Sequence, residues 1–429
     1  MNKPTLKHQA YAWVVVGLLW VVAMLNYMDR QMLATMRPSM QVDIQTLESA
    51  TNFGRLMAIF LWIYGLMSPV SGLIADRLNR KWLIVGSLAV WSGVTFSMGY
   101  ATTFTQLYGL RAIMGISEAL YIPAGLALIA DYHTSRTRSL AVGIHMTGLY
   151  AGQALGGFGA TVAGTYSWQL AFQTFGLAGV VYAVVLSFFL RETDRGTQSS
   201  LSTEKTLGKT SHSPWRSLGL LLRNPSFWVI LLVYAIPSLP GWATKNWLPT
   251  LFATNLAIDM TQAGPLSTIS IAGSSFLGVI FGGILSDRWA QTNVRGRIYT
   301  SAIGLSLTIP ALLLLGFGSS LLNIVGAALC FGVGYGMFDA NNMPILCQFV
   351  PTERRATAYG LMNMTGVFAG ALVTSWLGKS TDSGNLGASF AWLALIIVSA
   401  LILQLVGLKP KVVDFSPVNA SVPNPLVES

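Results

Sequence analysis

The 429-residue chain is 53% hydrophobic and only 10% charged, with a mean hydropathy of +0.57. Soluble domains carry about 25% charged residues, so most of this surface must meet lipid. A net charge of +10 suggests nucleic acid, but the placement of the basic residues, described below, excludes that class.

Lys3 and Lys7 precede the first apolar run, 11–36. No small-residue cleavage site follows, so the run is read as a membrane helix and not as a leader. It contains Asp29 and Arg30 between apolar neighbours. A membrane-centre charge costs roughly 2.5–3.5 kcal/mol on insertion scales, so each needs a reason. Adjacent helical residues point about 100° apart and do not face each other. At least one of the two must therefore reach another helix.

Spans follow at 53–75, 82–102 and 106–131. The loop after the second carries Gly72, Asp76, Arg77, Arg80 and Lys81. Asp76 follows a helix end and is expected to face the positive N-terminus of a neighbouring helix, such as the eleventh span. The fourth span carries Arg111 and Glu118, with Pro123 five residues on to kink it. A lone carboxylate there is either a proton carrier, its pKa raised by desolvation, or a structural partner of Arg30 or Arg111.

The fifth span, 139–161, holds His145 and Gly148-x-x-x-Gly152-Gln153-x-x-Gly156-Gly157. His145 is either a titrating group or, more simply, a buried neutral side chain. The sixth span is 169–190. The longest internal polar stretch, 191–225, is a linker; six more spans follow at 226–254, 264–286, 298–318, 321–349, 357–377 and 387–408. Each of the twelve is near or above the roughly 20 residues needed to cross the hydrocarbon core.

Lys245 lies between Trp242 and Trp247 in the seventh span, and either meets substrate or snorkels to the interface. Asp339, Asn341, Asn342 and Pro344 follow Gly332-x-Gly334-x-Gly336 in the tenth, a stretch suited to close packing, a bend or a polar cavity wall. With the N-terminus in the cytoplasm, most of the 26 Lys and Arg fall in cytoplasmic loops. The basic surplus is thus a topology signal. Both termini are expected in the cytoplasm of a cell whose inner membrane holds the protein.

The halves repeat. Gly72-Leu-Ile-Ala-Asp76-Arg77 matches Gly283-Ile-Leu-Ser-Asp287-Arg288, and Arg138-Ser-Leu-Ala-Val-Gly143 matches Arg355-Ala-Thr-Ala-Tyr-Gly360. The organisation is a first half at 1–190, the linker 191–225, a second half at 226–408 and a tail at 409–429. Such a parallel repeat places a substrate site between the halves near the midplane. Tyr27, Tyr64, Tyr121, Tyr150 and Gln153 lie on helices expected to form it.

Gly72-x-x-x-Asp76-Arg77-x-x-Arg80-Lys81, with Asn79 where a second glycine is usual, resembles the signature loop of the major facilitator superfamily. Its degenerate copy at Gly283 to Arg297 and Arg111-x-x-x-Gly115 resemble that family too. The resemblance implies an all-α protein of twelve transmembrane helices in two pseudo-symmetric halves. It gives Gly72, Asp76, Arg77, Arg80, Arg111, Asp287 and Arg288 to gating.

Asn26-Tyr27-Met28-Asp29-Arg30, Ser117-Glu118-Ala119, Pro123 and Trp247-Leu-Pro249-Thr250 are similar to the anion:cation symporter family of sugar-acid and sialic-acid carriers. That resemblance implies that Arg30 binds a substrate carboxylate while Asp29 and Glu118 carry coupling protons. The same span-one and span-four motifs also resemble Spinster-type lipid transporters, whose bacterial relatives share Ile129-Ala-Asp131-Tyr132 and Gly152-x-x-x-Gly156-Gly157, which implies a lysolipid or another amphiphilic anion instead. Drug antiporters have proline where Gln153 stands, which favours uptake over efflux. The expected partners are a small anionic molecule and the bilayer, with no nucleic acid, and the carrier is expected to be a monomer. A proton gradient, or sodium in its place, drives it without a cofactor. No HExxH, GxSxG or paired histidines support an enzyme.

Overall fold

The computed structural model describes residues 6–133, 135–192, 219–351 and 354–410; most of the linker and tail fall outside, as do the side chains of Asp76 and Arg77. Among the described residues the regular structure is entirely helical. The first half comprises α1 (Leu6–Asp43), α2 (Ala50–Arg77), α3 (Arg80–Met98), α4 (Phe104–Ala119), α5 (Tyr121–Tyr132), α6 (Ser135–Gly156), α7 (Gly159–Thr165) and α8 (Trp168–Phe189). The second comprises α9 (Pro225–Leu256), α10 (Met260–Ala290), α11 (Gly296–Phe317), α12 (Leu321–Asp339), α13 (Asn342–Phe349), α14 (Arg355–Asp382) and α15 (Leu386–Gly407).

Three spans are pairs of helices in line: α4–α5, α6–α7 and α12–α13. Their breaks fall where the sequence weakens the helix, ahead of Pro123, at Gly156-Gly157 and ahead of Pro344. Counting each pair once gives twelve spans, six per half. Among the described residues eleven of these spans are long and apolar enough to cross a membrane; the remaining span starts with α6, whose first turns are polar. The first span is longer than the sequence suggested, continuing through Pro38 to Asp43, where Arg37 donates to the Leu47 and Glu48 carbonyls.

Local chemistry sets the ends. Ser49, Asn79, Thr103, Ser167, Asn224, Asp259 and Ser320 each accept a backbone N–H of the helix they precede. Asn79, which replaces the family glycine, thereby starts α3. In the loop before α10, the Thr261 backbone N–H holds the Asp259 carboxyl below its usual range.

Small residues permit close crossings. A Cβ on Gly148 would lie 2.6 Å from the Trp20 carbonyl oxygen, one on Gly156 would lie 2.7 Å from that of Met28, and one on Gly152 would overlap that of Met24. The glycine run of α6 is thus the seam against α1. In the second half Gly278, Gly332 and Gly336 join α10 to α12 in the same way.

The halves meet along α2 and α14, and again where α6 and α7 face α10. One end is sealed. The Asp382 carboxylate, at the C-terminus of α14, accepts Ser49 Oγ (2.9 Å), Ala50 N (2.6 Å), Thr51 N (2.9 Å) and Thr51 Oγ1 (2.7 Å) at the start of α2. Trp247 Nε1 donates to the Thr374 carbonyl below it (3.1 Å). On the other seam Thr161 Oγ1 donates to the Thr261 carbonyl (3.1 Å), and Thr268 Oγ1 to that of Ala154 (3.1 Å).

Candidate functional site

Between the halves is a cavity of about 300 Å³, bounded by α1, α6, α9, α10, α12, α13 and α14. It reaches from Gln153 and Lys245 near the sealed end to Met146, Met343 and Tyr359 toward the opposite end. Five tyrosines line it: Tyr27, Tyr150, Tyr234, Tyr335 and Tyr359. Among the described lining residues Lys245 is the single cation and Asp339 the single carboxylate.

Among the described residues neither has an ion-pair partner. The Lys245 ammonium stands 4.9 Å from the Trp242 ring and 5.9 Å from that of Tyr27, within cation–π range of both. Gln31 Nε2 donates to the Lys245 carbonyl (2.9 Å), fixing α1 to α9 across the halves. Asp339 accepts Asn342 Nδ2 at 3.2 Å, across the α12–α13 break. Lys245 thus lies on the cavity wall and not at the lipid interface.

Beside the cavity is a second charged constellation, buried within the first half. Arg30 Nε donates to Glu118 Oε2 at 2.6 Å, and Asn26 Nδ2 donates to the same oxygen at 3.0 Å. The Arg30 guanidinium lies 4.7 Å from the Tyr64 ring, 4.8 Å from Phe60 and 5.0 Å from Tyr27. Phe60 also carries Arg111, 4.6 Å away, whose guanidinium donates to the Met114 sulfur. Asp29 points elsewhere, accepting Thr95 Oγ1 of α3 at 3.3 Å. The 100° turn between neighbours thus sends Arg30 to α4 and Asp29 to α3.

Glu118 is fully buried, and Glu118 Oε1 and Arg30 Nη2 are buried without a hydrogen-bond partner. Buried polar atoms are rarely left unpartnered, and exceptions call for a functional explanation. Chemically, an unpartnered carboxylate oxygen can take a proton, and an unpartnered guanidinium N–H can take an acceptor. Tyr27 connects the two constellations, facing Arg30 and Lys245 at once.

Of the residues singled out in the sequence, the structure gathers Tyr27, Tyr150, Gln153, Lys245 and Asn342 on the cavity wall. Arg30 and Tyr64 lie behind it. Tyr121 packs between Trp91 and His145 and donates to the Leu19 carbonyl (2.7 Å). Asn341 is buried and donates to the Met337 carbonyl (2.8 Å). Tyr234, Tyr335, Tyr359 and the Asp382 clasp escaped sequence reasoning. Tyr335 lies within the glycine run of α12, a usable signal; the others depend on which helix face turns inward.

Of the residues expected to gate, Gly72, Arg80, Asp287 and Arg288 sit at the end away from the Asp382 clasp, whereas Arg111 is buried against Phe60. Arg80 is ion-paired with Asp131 of α5, and the Lys81 N–H donates to Glu192 (2.7 Å). Gly72 lies in α2 with open space where a Cβ would project. The expected contact of Asp76 and Arg77 with α14 lies outside the described residues. In the degenerate copy, Asp287 pairs with Arg297 (3.5 Å) and Arg288 is exposed.

Comparison with known proteins decides the family, because the Major Facilitator Superfamily model matches residues 19–374. The chain belongs to the major facilitator superfamily. It is 28% identical over 366 residues to protein spinster homolog 1 of Bos taurus, covering 80% of this chain and 68% of that protein. It is 26% identical to the 4-hydroxybenzoate transporter PcaK of Acinetobacter baylyi, covering 92% and 88%. The sphingosine-1-phosphate transporter SPNS2 of Xenopus tropicalis is also 26% identical, covering 84% and 73%. The solved structure of a bacterial homologue of the human lysosomal transporter Spinster, inward-facing and occupied, superposes with a TM-score of 0.77 at 20% identity, covering 95% and 97%. This family member is a multi-pass membrane transporter with Spinster-like features and the twelve-helix, two-half fold; it is not an enzyme.

Proposed function

We propose that the protein takes up a small organic acid, of the size of a hexuronate, aldonate or sialic acid, by proton-coupled alternating access. The observation that carries this reading is the cavity between the halves, with one unpaired lysine among tyrosine hydroxyls beside a buried arginine–carboxylate pair. A ring-shaped acid puts its carboxylate on Lys245 and its hydroxyls on Tyr27, Tyr150, Gln153 and Asn342. The volume sits at the small end of the range for small-molecule pockets, about 300–1,000 Å³.

Coupling follows from Glu118. While ionised, it holds Arg30 through Nε. Protonation removes that hold, and Arg30 can turn past Tyr27 toward the substrate's acid group. Acid binding and proton uptake then favour each other, a reciprocity that linkage requires. Asp29, on the same helix and beside Thr95, is the second proton site. In this proposal the protein is a monomer in the inner membrane with cytoplasmic termini, driven by a proton gradient.

The test is uptake of labelled glucuronate into proteoliposomes. Glu118→Gln should keep counterflow yet lose pH-driven accumulation; retained accumulation rejects the coupling role. Arg30→Ala should weaken glucuronate binding at least tenfold, and unchanged affinity rejects the clamp. The relatives named for spinster and sphingosine-1-phosphate support a second reading, a lysolipid or other amphiphilic anion. Competition by lysophospholipid, with none by sugar acids, would select it.

A further inference from the structure

The two halves carry a cation and a carboxylate at corresponding places. In the first, Arg30 lies in the opening span, 13 residues before its end at Asp43, and Glu118 lies just before the α4–α5 break at Leu120. In the second, Lys245 lies in the opening span, 11 residues before its end at Leu256, and Asp339 lies just before the α12–α13 break at Ala340 and Asn341. The N-terminal pair is closed, at 2.6 Å; the C-terminal residues are outside ion-pair distance and both line the cavity.

At a rise of about 1.5 Å per residue, Lys245 lies about 16 Å from the sealed end of α9, and Asp339 about 27 Å from that of α12. The carboxylate is therefore roughly 10 Å nearer the open side. A fixed carboxylate in the same cavity as the single described lining cation opposes anion binding, unless it has work to do in another step. Helix breaks provide the movement. Asp339 adjoins the α12–α13 break, and α9 contains Pro237, Pro240 and Pro249, so the separation can change while each half keeps its core. The other groups facing this space are neutral tyrosines from α1, α6, α9, α12 and α14, with Arg30 behind Tyr27.

We propose that Lys245 and Asp339 are the second half's counterpart of Arg30–Glu118, closing on each other during turnover so that Asp339 competes with the substrate's acid group for Lys245. This deepens the anion-carrier reading and rests on Lys245 as its contact. Asp339 is then a positioning residue: it returns the unloaded carrier and gives up the lysine when an acid arrives.

Two measurements test it. In substrate-free protein in lipid nanodiscs, spin labels at Tyr166→Cys and Thr254→Cys report opening of the sealed end by electron–electron distance. Lys245→Met and Asp339→Asn should each reduce the opened population, and the double variant should reduce it no further than either alone. Additive effects of the two changes overturn the pairing. With glucuronate as the probe, Asp339→Asn should bind about three- to tenfold more tightly and keep counterflow, while net uptake falls at least fivefold. Unchanged or weaker binding overturns the competition. If the wild-type protein binds no glucuronate, the sugar-acid assignment fails, and the distance measurement still decides the pair.

Discussion

The two halves treat buried charge in opposite ways. In the first, Arg30 and Glu118 are joined at 2.6 Å in a site closed by Phe60 and Tyr64, with Arg111 also against the Phe60 ring. In the second, Lys245 and Asp339 face a shared cavity and make no ion pair. A paired buried charge is bound to the fold, because removing either partner strands the other in a low dielectric. An unpaired charge on a cavity wall keeps its interaction energy for a ligand. In the proposed mechanism the first half holds the exchangeable proton, while the cavity's lysine and carboxylate come from the second. Charges counted along the sequence led to the expectation of coupling in the first half; the structure adds that the charges lining the cavity belong to the second.

The sharpest break of this comparison is Glu118→Ala. It should destabilise the protein by about 3–5 kcal/mol, the usual cost of stranding one buried partner, read as a large fall in Tm in detergent. Arg30→Met with Glu118→Leu should recover most of that loss without restoring coupled transport. A single variant with no change in Tm would show that the pair is solvated.

The clasp between halves comes next. Asp382→Asn gives up charge-assisted contacts at the exposed N-terminus of α2, and a capping loss of about 1–2 kcal/mol is expected. Its effect should appear as faster reaction of a cysteine placed at Tyr27 with reagent added on the Asp382 side. Equal rates would mean that the close packing of α2 on α14, where a Cβ on Gly378 would lie 2.5 Å from the Ala50 carbonyl oxygen, seals that end unaided.

Lys245→Ala should change Tm by no more than about 1 kcal/mol equivalent, because no described partner is stranded, yet raise the glucuronate Kd at least tenfold. A Tm loss as large as that of Glu118→Ala would erase the distinction between the halves. Smallest of all, Thr161→Val removes one neutral hydrogen bond on the other seam, typically worth about 0.5–1.5 kcal/mol net. Its effect on cysteine accessibility should be well below that of Asp382→Asn.

Much of this protein was legible in the residues alone. Span length and apolar composition settle the membrane architecture, because the hydrocarbon core accepts only long, internally hydrogen-bonded segments. The glycine run of α12 and the prolines after Glu118 and Asn342 announced close packing and helix breaks, since both act through local backbone geometry. Asp29, Arg30, Glu118 and Lys245 stood out because membrane charges are rare. Their assignment to faces did not follow. Tyr64 and Tyr121 were as plausible for the cavity as Tyr234 and Tyr359, and all four are tyrosines in apolar helices.

By itself the sequence determined the twelve spans, the internal repeat and the short inventory of charges that must have partners. Only the tertiary structure decided that Arg30 takes Glu118, that Asp29 turns to Thr95, that Lys245 faces the cavity unpaired and that Asp382 clasps α2. The physical reason is one of range. Hydropathy, glycine and proline act over a few neighbouring residues and are written along the chain. A partner 88 or 333 positions away, as in the Arg30–Glu118 pair and the Ser49–Asp382 bond, is selected only once helices pack and a low dielectric penalises every charge left alone.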